Sequence, residues 1–255
     1  MKLTLGYFYP RELNLYGDTG NVEILISRAK ARGAEVAVEE ITSVTKLSSD
    51  AMRRIDLVFM GGGPDSGQQQ MYRDLLEDKA PHLREHIEGG KVGLFICGAY
   101  QLMGHYYRSA DGSELKGLSI LDLYTQHFGH AQKRCVGNIV CALPEDLLTS
   151  PAFANCNLTG SHIVGFENHG GRTFLGKGTL PFAKVRRGFG NNGQDKTEGA
   201  HYKNTIGTYL HGPLLAKNPH IADYLIARAL GVEKLTNLDD TIINNAHAAL
   251  VKRFG

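Results

Sequence analysis

The chain has 255 residues, 42% of them hydrophobic and 21% charged, enough apolar length to bury a sizeable core, which excludes a disordered or fibrous protein. Its formal net charge is +2, with 28 Lys+Arg against 26 Asp+Glu and no dense basic run, so neither nucleic acid nor a membrane surface is an expected partner. No apolar stretch approaches the ~20 residues of a bilayer span, and MKLTLGYFYPREL is broken by Pro10 and Arg11 before a signal-peptide core forms, so a cytoplasmic location is expected.

In chain order, KLTLGYFY reads as a strand, and residues 22–32 carry apolar side chains at helical spacing (Val22, Leu25, Ile26, Ala29) closed by Gly33. EVAVEEI alternates like a second strand. IDLVFM is an uninterrupted apolar run, the pattern of a strand covered on both faces, and it stops at Gly61, Gly62 and Gly63. Helical spacing over 68–87 ends at Gly89 and Gly90, and KVGLFI follows as another fully apolar strand. The order β, α, β, β, α, β predicts an α/β fold with a mostly parallel central sheet flanked by helices, whose ligands bind beyond the carboxyl ends of the strands. From about residue 115 shorter strands follow (LSILDLYT, GNIVCAL, IVGFEN, FAKVRR, TIGTYL) as antiparallel additions continuing that sheet. Helices over 220–230 and 236–254 close the chain. With no internal repeat or low-complexity linker, one domain over 1–255 is expected, the C-terminal helices of 219–255 being part of it.

The four cysteines, Cys97, Cys135, Cys141 and Cys156, form no CxxC pair and have no histidine at zinc-finger spacing, so no metal site and no disulfide framework is predicted. In VGLFICGAYQLMGHYY, Cys97 stands between an apolar strand and a segment of helical spacing. A nucleophile on such a turn is held in a strained backbone with its side chain exposed; the helix start favours thiolate and offers amides, chiefly that of Gly98, to an oxyanion. A buried structural cysteine is the alternative. Of eleven histidines, His211 in NTIGTYLHGPLL also follows a strand and is the first candidate for general base; His169, between glycines in GFENHGGRT, is the second.

These residues match a family. ICGAYQ resembles the C-x-G-x-Q elbow of class I glutamine amidotransferases, with Ala99 where that pattern has glycine. GFENHGGRT and TYLHGP resemble the corresponding elements of the cobyric-acid-synthase-like branch. With LNLYGDTGN, FMGGGPD and GFGNN, the chain over residues 3–230 is similar to the glutaminase subunits of bacterial lipid II isoglutaminyl synthases.

The resemblance implies a flavodoxin-like amidotransferase fold and a reaction in which Cys97 attacks the carboxamide of L-glutamine to form a thioester, with His211 protonating the leaving amine. It places Gln101 and Arg134 on the substrate, Arg134 at its carboxylate, with Asn168 and His169 as further substrate contacts. Oxyanion donors are then expected from Gly98 and from Gly62 or Gly63. It implies no cofactor in this chain. ATP and Mg²⁺ are expected in a Mur-ligase-like partner that forms a heterodimer with it and amidates the D-glutamate α-carboxylate of lipid II, a substrate that would bring the complex to the inner membrane face. His211 is followed by Gly212 and Pro213 rather than by an acid, so the third catalytic member is expected from the partner, or from Glu167 or Asp65. GRTFLGKG superficially resembles a phosphate loop but has Gly178 where Ser or Thr would bind magnesium. A glutaminase serving a corrin-type acceptor, a cysteine hydrolase of γ-glutamyl substrates or thioesters, and a non-catalytic relative stay open.

Overall fold

A computed structural model of the chain describes residues 1–63, 71–129, 131–154 and 160–255. Fourteen strands are present among them: β1 (Lys2–Phe8), β2 (Glu35–Ile41), β3 (Leu57–Met60), β4 (Val92–Ile96), β5 (Tyr106–Arg108), β6 (Glu114–Lys116), β7 (Leu123–His127), β8 (Cys135–Ala142), β9 (His162–His169), β10 (Gly171–Leu175), β11 (Ala183–Arg187), β12 (Thr197–Glu198), β13 (Ala200–Tyr202) and β14 (Thr205–Thr208).

The central sheet has the order β13-β14-β4-β3-β1-β2. It is parallel throughout except that β13 runs antiparallel to β14 at the edge. The apolar runs fall where their composition requires: every residue of β3 and β4 is buried, because both strands are inside the sheet with layers on each face. The alternating EVAVEEI is the β2 edge, only partly buried. Helix α1 (Thr19–Lys30) crosses from β1 to β2, and Gly33 just beyond it takes the left-handed φ of 76° that helix exits favour. A short helix, α2 (Ser49–Arg54), lies between β2 and β3, where a direct strand-to-strand step was expected; Ser48 caps it by accepting from the Ala51 amide. The helix expected over 68–87 is seen from residue 71, passes through a π-turn at Leu75–Lys79, and ends as α3 (Ala80–Glu88).

The antiparallel pieces do not all continue the central sheet, as the alternation had suggested. Only β13 does. The rest build two separate four-stranded sheets, β10-β7-β5-β6 and β12-β11-β8-β9, inserted between β4 and β14. Helices α4 (Gly98–Leu102), α5 (Pro219–Leu230) and α6 (Thr241–Phe254) complete the framework. Arg28 of α1 makes buried bonds to Asp223 of α5 and to Asp240 before α6, so the C-terminal helices are pinned to the first one. Among the described residues no helix is long and apolar enough to cross a membrane.

The parallel topology has one consequence for chemistry. The carboxyl ends of β1, β3, β4 and β14 lie at one end of the sheet, and the segments leaving them carry Asp18, Gly61 to Gly63, Cys97 and His211.

Candidate active site

Cys97 follows β4 directly and adopts φ 52° and ψ −107°, a conformation that side-chain-bearing residues rarely take. Its amide bonds the Thr208 carbonyl at 2.8 Å and its carbonyl accepts from Gln101 N–H at 3.0 Å, so the strain is held from both the neighbouring strand and the helix that follows. The side chain is 8% exposed. The expectation of an exposed thiol is therefore corrected: it sits at the base of a cavity of about 510 Å³, not at the outer surface.

His211 leaves β14 and is fully buried, with its main chain bridged in both directions to Phe166 of β9. A methyl group placed on Gly62 would lie 3.0 Å from Cys97 Cβ and 3.0 Å from His211 Cε1, so those two atoms are separated by at most twice that distance. Gly62 is the wedge between them, and only a residue without a side chain lets the sulfur and the imidazole approach.

Asp18, fully buried just before α1, supplies the acid that is absent from the positions following His211. Its Oδ1 accepts from His211 Nδ1 at 3.3 Å and its Oδ2 accepts from the Gly62 amide at 2.7 Å. With Nδ1 committed to Asp18, Nε2 is the nitrogen left for chemistry, and it is buried without a hydrogen bond of ordinary geometry. Burial disfavours the imidazolium, but hydrogen bonding to Asp18 and Cys97, with the charge of both, outweighs it and pushes His211 up to about 10.

Two expectations change accordingly. Of the other acids considered, Glu167 does not reach His211: its oxygens accept from the Phe189 and Gly190 amides at 2.7 and 2.9 Å, anchoring the GFGNN turn. Asp65 lies outside the described residues, as does Cys156. The Gly62 amide, expected at an oxyanion, is bonded to Asp18 instead. Gly63 lines the cavity, and Gly98 opens α4 beside the sulfur.

The cavity wall brings together Cys97, Gln101, Arg134, Asn168 and His169, and adds Leu15, His127 and Lys133. Gln101 donates from Nε2 to the Tyr209 hydroxyl at 3.0 Å. That hydroxyl also pairs with Thr173 at 2.6 Å, and the Tyr209 ring stacks on His169 with centroids 3.6 Å apart. His169 donates from Nδ1 to the Gly171 carbonyl at 2.7 Å, and burial pushes its imidazole down despite Glu167 nearby; it is a neutral wall residue. Arg134 is exposed at the cavity mouth, with Nε and Nη2 donating to Asn168 Oδ1 and O at 3.1 and 3.2 Å. Cys135 and Cys141 are buried, and desolvation pushes both thiols up, Cys135 to about 11. The GRTFLGKG segment is strand β10 running into a turn whose Gly178 amide donates to Asp122 at 2.8 Å; it opens no helix.

A planar guanidinium at the mouth of a cavity is suited to a ligand carboxylate. If Arg134 takes the carboxylate of glutamine, Arg134→Ala raises KM about tenfold or more while kcat changes little. Steady-state ammonia release checks this, and an unchanged KM removes Arg134 from the site.

The CobB/CobQ-like glutamine amidotransferase domain matches residues 4–219. The chain is 45% identical over 228 residues to a Staphylococcus aureus protein named lipid II isoglutaminyl synthase (glutamine-hydrolyzing) subunit GatD, covering 89% of this chain and 84% of that one. Its similarity to the protein of the same name from Streptococcus pneumoniae is 34% over 229 residues, covering 90% and 81%. Among solved structures, the glutaminase domain of Trypanosoma brucei CTPS superposes with a TM-score of 0.57 at 10% identity, covering 92% of this chain and 98% of that one, a likeness of fold.

Proposed function

The chain belongs to the CobB/CobQ-like glutamine amidotransferases, and from that membership we propose that it is the glutamine-hydrolysing subunit of a lipid II isoglutaminyl synthase. The observation that carries the chemistry is the Asp18–His211–Cys97 alignment at the base of a cavity with a guanidinium at its mouth. Glutamine lies with its carboxylate on Arg134 and its carboxamide over Cys97. The sulfur adds to the amide carbon, and the oxygen takes up negative charge against the amides of Gly98 and Gly63. His211 gives its proton to the nitrogen as the C–N bond breaks, ammonia leaves, and a thioester remains. Water, deprotonated by His211, then adds to the thioester carbon and glutamate departs with the sulfur restored. Asn168 and His169 shape the cavity wall. Ammonia passes to an ATP-dependent, Mur-ligase-like subunit, which holds the nucleotide and magnesium and converts the D-glutamate α-carboxylate of lipid II to the amide.

Asp18 makes a partner-supplied acid unnecessary for glutamine hydrolysis in this reading. In Asp18→Asn one oxygen still accepts from Gly62 while the new amino group faces Nδ1, which forces the imidazole into the wrong tautomer. Ammonia release falls about 100-fold or more with KM little changed. Wild-type turnover in that variant contradicts the role. The functional reading itself is tested by combining the chain with its candidate ligase, ATP and lipid II. Glutamine-dependent amidation of the stem peptide is expected, whereas ammonia release with no amidated lipid assigns the glutaminase to another acceptor.

A further inference from the structure

We propose that Tyr16 is a positioning residue of this site: its ring closes the solvent side of His211, and its hydroxyl couples that closure, through Asn168, to Arg134. The inference rests on the glutaminase reading and adds a residue to it.

The Tyr16 and His211 rings meet edge to face, with centroids 4.8 Å apart and planes at 67°. His211 is fully buried, whereas Tyr16 is 43% exposed, so the tyrosine is a surface against which the imidazole is sealed. Tyr16 has φ 57° and ψ 23°, in the left-handed region that a tyrosine seldom occupies. The segment is held there by Leu15 N–H on the Gly62 carbonyl at 2.8 Å and by Thr19 N–H on Asn14 Oδ1 at 2.9 Å. A strained backbone that points a large ring at the catalytic histidine is a functional arrangement, since a relaxed turn there would carry the ring away.

The hydroxyl extends the arrangement. Asn168 Nδ2 donates to it, while Asn168 Oδ1 accepts from Arg134 Nε at 3.1 Å. One carboxamide thus joins the residue that covers the histidine to the residue placed to grip the substrate's carboxylate. Excluding water strengthens the attraction between the imidazole side chain and the groups beside it, Asp18 and the Cys97 sulfur. The ring therefore acts on the catalytic step, and the hydroxyl on substrate binding.

The two halves separate by mutation. In Tyr16→Ala, kcat falls about tenfold, and iodoacetamide alkylation of Cys97 at pH 7, followed by mass spectrometry of the intact chain, slows in parallel. Tyr16→Phe keeps the ring, so it restores both rates to within about twofold of wild type but raises KM about fivefold. Asn168→Ala, which leaves Tyr16 in place, shows the same rise in KM. Wild-type kcat and alkylation in Tyr16→Ala overturn the closure, as does Tyr16→Phe losing as much as Tyr16→Ala. An unchanged KM in both Tyr16→Phe and Asn168→Ala overturns the coupling. Should the wild-type chain release no ammonia from glutamine, the glutaminase reading fails, while the alkylation rates still report on the ring.

Discussion

Replacing Cys97 with alanine is expected to reduce ammonia release to background, a fall on the order of 10⁴-fold or more. The expectation follows from placement. Among the described cysteines Cys97 is the one that lines the cavity, and it is held at φ 52° by hydrogen bonds to two different elements. The two other described cysteines lie in or beside a sheet core, in β8, with thiols pushed up by burial. Such thiols are poor nucleophiles, so Cys135→Ser and Cys141→Ser leave turnover largely intact. Loss of turnover in either, with Cys97→Ala active, would move the nucleophile to β8. The folded state tolerates the alanine, since the elbow's backbone bonds do not involve the sulfur.

His211→Ala is expected to fall about 10³-fold. Its imidazole serves twice in the proposed cycle, giving a proton to the departing carboxamide nitrogen, which leaves as ammonia, and taking one from water. Both steps use Nε2, which stays available because Asp18 occupies Nδ1. The loss is in kcat rather than in glutamine affinity, because the residues placed on the substrate, Arg134 and Gln101, are untouched. A small external imidazole, admitted to the space vacated, restores part of the rate. A variant with an elevated KM and normal kcat would make His211 a binding residue and reassign the proton transfer.

Much of this arrangement is legible in the amino-acid order, because some residues signal their surroundings locally. An apolar run ending in ICG announces a buried strand and a sharp turn, and β4 with Cys97 follows. The same holds for TIGTYLHG, where β14 delivers His211. Other parts are set by distance. Asp18 and His211 are separated by 193 positions, and nothing in LNLYGDTGN shows that its carboxylate folds beneath a histidine so remote. Gly62 is similar: three glycines suggest close approach, but only the folded chain shows that one separates the catalytic pair and orients Asp18. The alternation in GNIVCAL and IVGFEN identifies strands but not their partners, so two separate small sheets were read as extensions of one. Helix α2 is not legible in the sequence because six residues are too few to display a helical period.

The most direct test of the account is to treat the chain with a glutamine-mimicking diazo ketone and locate the adduct by peptide mass spectrometry. One adduct on the peptide containing Cys97 is predicted, suppressed by excess L-glutamine and lost in His211→Ala. Modification of a different cysteine, or full ammonia release from a chain whose Cys97 is already alkylated, would contradict it.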